Sequence, residues 1–181
     1  RRRPIRPNVV LYESFAGNGM LCNPEAIFRR LRAEPEFAHL RHVWVLRSKR
    51  ENRAVVREFR HDRSVRFVRP RSWGYYRALA TSGYLINNAT FPIEFGKRDG
   101  QIYLNTWHGT PLKAMGYDVP RGRLATRNVV RNLVAADYLL APNDATESMY
   151  LSSYRMAGIF GGSVVRSGTP RIDHQFADAG H

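Results

Sequence analysis

The feature that most narrows the folds open to this chain is a regular alternation of two patterns. Seven short apolar runs recur along it: "NVVLYE" (8–13), "HVWVLRS" (42–48), "SVRFVRP" (64–70), "YLINNA" (84–89), "QIYLNT" (101–106), "DYLLAPN" (137–143) and the opening of "GSVVRSGTPRID" (162–173). Stretches of helical character separate most of them. Runs this short and this continuously apolar read as strands covered on both faces, and helices between them supply the cover. The alternation therefore predicts an α/β domain with a doubly wound, mainly parallel sheet.

The helical stretches carry their own signals. After "NVVLYE" comes a loop with "GNG", then Asn23 as expected N-cap, Pro24 in the first turn, and an apolar stripe of Ile27, Phe28 and Leu31. "ENRAVVREF", "SWGYYRALATSG" (72–83) and "RLATRNVVRNLVAA" (123–136) read as helices, as does "DATESMYLSSYRMAG" (144–158), with Asp144 as expected N-cap and Gly158 as stop. In a Rossmann-like sheet of this kind the ligand crevice lies beyond the carboxyl ends of the strands. That places four polar loops on one rim: "ESFAGNG", "NNATFP", "NTWHGTPLK" and "SGTPRID".

Composition sets outer limits. The 181 residues, 43% hydrophobic and 12% aromatic, suit a folded domain with a core. Lys and Arg number 29 against 15 Asp and Glu, giving +14, and 26 of the 29 are arginine. Such a surplus draws a protein toward anions, and an anionic membrane surface is favoured over nucleic acid because RNA-binding signatures and interleaved stacking aromatics are not evident. Cys22 is alone, so a disulfide framework is excluded and a reducing compartment is expected. "RRRPIRP" is expected to be disordered, and it does not resemble a signal peptide, since "NVVLYESF" after it is too short and polar for an apolar core region. No apolar run reaches the roughly 18 residues of a spanning helix.

Three rim segments carry chemistry, each with a plainer reading beside it. In "SFAGNG" the backbone of Ser14, Gly17, Asn18 and Gly19 either cradles an anion at a helix N-terminus or simply makes a tight turn. In "NTWHGTPLKAMG" (105–116), His108 is either a base that takes a proton from an attacking hydroxyl or a brace across a turn. Trp107 either walls the site or fills the core. Gly109 allows close approach, Thr110 and Pro111 shape the turn, and Lys113 offers a point cation. In "SGTPRID", Arg171 and Asp173 either hold phosphate or brace a hinge. DxD, HExxH, CxxC and GxSxG patterns are all missing, which argues against a protein-held metal and against an α/β-hydrolase.

Taken in order and spacing, "YESFAGNGMLCNPEAIFRRL", "YLINNATFP", "GQIYLNTWHGTPLKAMGYD", "DYLLAPN" and "GTPRID" resemble the CDP-glycerol glycerophosphotransferase family of teichoic-acid primases and polymerases. The resemblance implies the N-terminal, acceptor-side half of a GT-B-type architecture. Residues 8–166 would form that domain, and residues 167–181 would begin the connection to a C-terminal nucleotide-binding domain that this chain lacks. It implies transfer of glycerol or ribitol phosphate from CDP-glycerol or CDP-ribitol to a hydroxyl of a lipid-linked acceptor, with release of CMP. It names His108 as the base and implies no tightly bound cofactor. The implied setting is the cytoplasmic face of a bacterial membrane, held peripherally, with little or no turnover by this half alone. Two other readings stand beside it: a GT-B nucleotide-sugar glycosyltransferase, and a noncatalytic domain that docks polyanion or membrane.

Overall fold

The computed structural model describes residues 3–120 and 123–173, without the side chains of 123–125. Seven parallel strands form one sheet: β1 (Arg6–Glu13), β2 (Arg41–Val45), β3 (Val65–Val68), β4 (Ser82–Asn87), β5 (Ile102–Asn105), β6 (Tyr138–Ala141) and β7 (Ser163–Arg166). Their order is β3-β2-β1-β4-β5-β6-β7. The chain winds outward from β1 to β3, then returns to place β4 on the free side of β1. The β1–β4 seam is thus the point where the winding reverses, the place where doubly wound sheets open a crevice.

Alternation along the strands sorts the core into two layers. Val10, Tyr12, Trp44 and Ile86 face α1 (Cys22–Ala33) and α2 (Arg53–Glu58), where Phe28 and Phe59 complete the layer. The expected stripe on α1 is present, with Ile27 and Leu31 flanking buried Phe28. Leu11, Val45, Leu85 and Leu139 face the opposite way, against α3 (Trp73–Thr81), α4 (Arg123–Ala135) and the segment after α5 (Asp144–Ser148). The central strands β1, β2 and β4 bury side chains on both sides, which is why their runs read as continuously apolar, whereas the edge strand β7 has no buried residue.

Four local expectations are corrected. The strand begins at Arg6, inside the basic segment expected to be disordered, because Arg6 pairs with Ser82 across an irregular register. Gly83 permits that approach: a Cβ there would stand 2.8 Å from the Cα of Pro7. α1 starts a residue before Asn23, with Leu21 as its cap, so Asn23 is free for another task. α5 is capped by Asn143 rather than Asp144, the Asn143 Oδ1 accepting from the Thr146 N–H at 2.9 Å. The helix also ends well short of Gly158, passing into a π-helical turn at Met149–Ser153. The connection expected at 167–181 begins with a turn at Pro170–Ile172 that packs on α1, and residues 174–181 lie outside the described residues.

Candidate functional site

At the top of the sheet the strand ends turn polar in register. Glu13, Asn87 and Asn105 are neighbours across β1, β4 and β5, and all three are buried. Glu13 accepts a hydrogen bond from the Tyr75 hydroxyl at 2.8 Å. Burial pushes its carboxyl from the ordinary 4.5 up to about 7, outweighing the opposing pull of the Tyr75 hydroxyl and of Arg47. Asn105 accepts from the Trp107 N–H at 2.9 Å, which turns the chain sharply as it leaves β5.

That turn delivers His108 to the β1–β4 seam. Its Nδ1 lies 2.7 Å from the Asn88 carbonyl oxygen. A carbonyl can only accept, so Nδ1 carries the proton and Nε2 keeps its lone pair. No described residue hydrogen-bonds Nε2. The half-buried ring stacks on Trp107, with centroids 4.7 Å apart, and meets the edge of Phe15 at 5.7 Å. Trp107 is buried and joins the core as well as walling the histidine. The imidazole is therefore fixed in tautomer by one strand end and in orientation by two aromatic rings from two others.

Asn88 ties β4 to the β1 loop. Its Oδ1 accepts from the Phe15 N–H at 2.9 Å, and its Nδ2 donates to Ser14 Oγ at 3.2 Å. Ser14 in turn donates to the Leu21 carbonyl. Asn23 performs a similar service from α1: its Nδ2 reaches the carbonyls of Thr106 and Trp107 at 3.2 and 3.4 Å, and its Oδ1 accepts from the Arg171 N–H at 3.3 Å. The Arg171 guanidinium then donates to the His108 carbonyl at 2.8 Å and lies 3.3 Å from Cys22 Sγ. Gly109 backs onto the same guanidinium. Thr110 accepts from Asn143 Nδ2 at 2.9 Å, joining the histidine loop to the cap of α5.

The glycine loop is folded onto itself and onto the β2 side. The N–H groups of Gly17 and Asn18 turn back to the Ser14 carbonyl at 2.9 and 3.2 Å, so neither is free for a phosphate. Gly17 has φ +84, and a Cβ there would sit 2.8 Å from Pro70. Its carbonyl accepts from the Arg47 N–H, and Asn52 Nδ2 donates to the Asn18 carbonyl. Gly19 packs against Asn52 as well. These residues anchor the loop to the β2 side, and the loop sets Phe15 against the His108 ring. Lys113 and Asp173 are exposed, and neither forms an ion pair among the described residues; Pro111 is half-buried.

Backbone strain is concentrated here. Of the six non-glycine residues with left-handed backbone among those described, Phe15, Ala16, Cys22 and Trp107 belong to this rim. Each costs on the order of 1 kcal/mol or more, and persists because the surrounding bonds over-determine it. Asn23, Asn88 and Phe15 escaped the sequence reading. The only signals were "NN" closing an apolar run and a buried Asn mistaken for a cap.

The fold and the rim define a class: a Rossmann-like α/β domain that presents a tautomer-fixed histidine at the reversal point of its sheet. More specifically, the chain belongs to the CDP-Glycerol:Poly(glycerophosphate) glycerophosphotransferase family, whose model matches residues 1–181. It is similar to the teichoic acid poly(glycerol phosphate) polymerase of Staphylococcus epidermidis, 28% identical over 159 residues, which cover 84% of this chain and 21% of that protein. The Bacillus subtilis polymerase of the same name is 27% identical over 180 residues, covering 95% of this chain and 22% of that protein. A solved structure of the wall teichoic acid polymerase TagF superposes with a TM-score of 0.81 at 26% identity, over 97% of this chain and 42% of that one. A variant of that polymerase has been solved after soaking with CDPG. This chain thus spans about a fifth of the length of those two curated relatives.

Proposed function

We propose that this chain supplies the acceptor-side half of an enzyme that transfers a polyol phosphate, glycerol or ribitol phosphate, from a CDP-polyol to a hydroxyl of a lipid-linked acceptor. The observation that carries the reading is the bond from His108 Nδ1 to the Asn88 carbonyl, which leaves Nε2 as a proton acceptor at the seam of the sheet. In the proposed step the acceptor oxygen attacks the β-phosphorus of the donor while Nε2 takes its proton. The bond from that phosphorus to the bridging oxygen breaks, and CMP leaves with the electron pair. Such a transfer asks the protein for position and charge more than for covalent chemistry. Family membership and the soaked relative support CDP-glycerol as donor. Arg171 serves this site by holding the His108 carbonyl, and exposed Lys113, without an ion pair among the described residues, is a cation placed to meet acceptor phosphate. The net charge of +14 supports peripheral attachment to the cytoplasmic face of an anionic membrane.

The test uses the longest form of the protein that turns over. His108→Ala should lower CMP release from CDP-glycerol and CDP-ribitol by at least a thousandfold while leaving the thermal melt within a few degrees of wild type. Near-wild-type turnover in that variant would remove His108 from the chemistry. Release of UDP from UDP-sugars in place of CMP would move the protein to the glycosyltransferase reading.

A further inference from the structure

Away from the rim, one group of arginines gathers without acidic partners. Trp73, at the start of α3, is 68% exposed. The guanidinium of Arg3 lies 5.7 Å from its ring centroid and that of Arg77 lies 5.5 Å from it. With Tyr76, Thr81 and Arg98 they line a pocket of about 430 Å³. None of the rim residues takes part.

Two more arginines crowd the same surface. Arg6 is held below the ordinary arginine range, first by partial burial and then by Arg77 and Arg66. Arg66 reaches α3 beside Gly74. Arg98 is fixed in place, its Nη1 donating to the carbonyls of Arg3 and Ala80.

What makes this cluster informative is convergence: Arg3, Arg77 and Arg98 line one pocket whose lining holds no carboxylate, whereas some other arginines meet acidic partners. Arg29 is paired with Glu25 and Glu58, Arg32 with Asp62, and Arg166 with Asp144 and Glu147. Among the described residues, none of the five arginines around Trp73 forms an ion pair. Like charges held together without counter-charge repel, and stacking on one indole offsets only part of that repulsion. An anion entering the pocket would relieve it. Guanidinium groups match the oxygens of phosphate in a fork, and an exposed indole beside a tyrosine offers a flat apolar wall to a carbon chain.

We propose that this pocket binds a phosphate ester, with Arg3, Arg77 and Arg98 around the phosphate and the ester's carbon chain against Trp73 and Tyr76. The site is separate from the His108 rim, and it stands or falls independently of the transfer reading. A soluble phosphate ester and a phospholipid headgroup share this chemistry.

The chain has three tryptophans, and Trp44 and Trp107 are buried, so Trp73 can report alone. With 5-fluorotryptophan incorporated, the ¹⁹F resonance lost in Trp73→Phe identifies it. Titration with glycerol 3-phosphate should move that resonance saturably, while glycerol at the same concentrations should not. Phosphatidylglycerol vesicles should move it and phosphatidylcholine vesicles should not. A response to the soluble ester assigns a free ligand, and a response to phosphatidylglycerol vesicles alone assigns the headgroup. Arg77→Glu should weaken the response at least tenfold. Arg3→Glu, at an exposed position, should do the same. The proposal is overturned if neither ligand moves the Trp73 resonance, if the Trp107 resonance moves instead, or if both charge-reversal variants respond like wild type.

Discussion

Replacing Glu13 by glutamine should make the domain more stable in mild alkali and hardly change it in acid. Glu13 closes β1, is 3% exposed, and has the Tyr75 hydroxyl on its Oε2. Because burial carries its carboxyl from 4.5 to about 7, the folded chain keeps a proton that the unfolded chain has released over that interval. The stability contributed by the neutral carboxyl is complete below pH 4.5 and is lost as pH rises through 7. A displacement of this size corresponds to about 3 kcal/mol in full, and the part falling between pH 5 and pH 8 is about 2.5 kcal/mol. Glutamine is neutral throughout, has nearly the same shape, and still offers Tyr75 an acceptor. Buried His42 acts in the opposite sense: burial, then the charge of Arg32, holds it down to about 4, so its share of stability is lost as pH falls from 6.5 through that value. That titration is common to both proteins and cancels in their difference. Urea unfolding followed by far-UV circular dichroism at pH 5, 6, 7 and 8 measures the gap directly. A gap between Glu13→Gln and wild type that stays constant across that range would refute the assignment of a buried, proton-holding carboxyl at the seam.

Other substitutions test the rim piece by piece. Asn23→Ala removes two donated bonds and one accepted bond at a fully buried position, and should cost about 2–3 kcal/mol in urea melts. Gly17→Ala places a Cβ 2.8 Å from Pro70 at φ +84, and should cost about 1–3 kcal/mol by the same measurement. Asn143→Ala removes the cap of α5 and should cost about 1 kcal/mol, whereas Asp144→Ala should cost well under half of that.

The sheet was legible because burial on both faces leaves a mark that one chain cannot hide. Each of the seven runs became a strand, and each expected helix has a counterpart, the last of them cut short at Ser148; the central strands, covered twice, need apolar residues along most of their length. Boundaries were less legible. Arg6 and Pro7 look like a solvated tail until β4 is alongside, and only Gly83, 76 residues from Pro7, explains why they can lie there. Asn143 and Asp144 are both competent caps by residue type. What decided between them was that Asn143 also reaches Thr110, a contact with another strand's loop.

The site divides the same way, and the division has a physical reason. His108, Trp107, Arg171 and Ser14 stood out because their side chains have chemistry of their own. Their roles are set by partners with none: the carbonyls of Asn88, Thr106, Trp107 and His108. A backbone carbonyl is present at every residue, so no pattern of side chains can announce which one will fix a tautomer. The buried amides of Asn23 and Asn88 are the visible trace of that hidden layer, since a buried amide must be satisfied and the nearest unspent partners are strand ends. The left-handed turns at Phe15 and Trp107 follow from the same demand. They bring two rings against one imidazole at the seam between β1 and β4, and the tautomer and orientation of the histidine are therefore a property of three strand ends held together rather than of the loop that carries it.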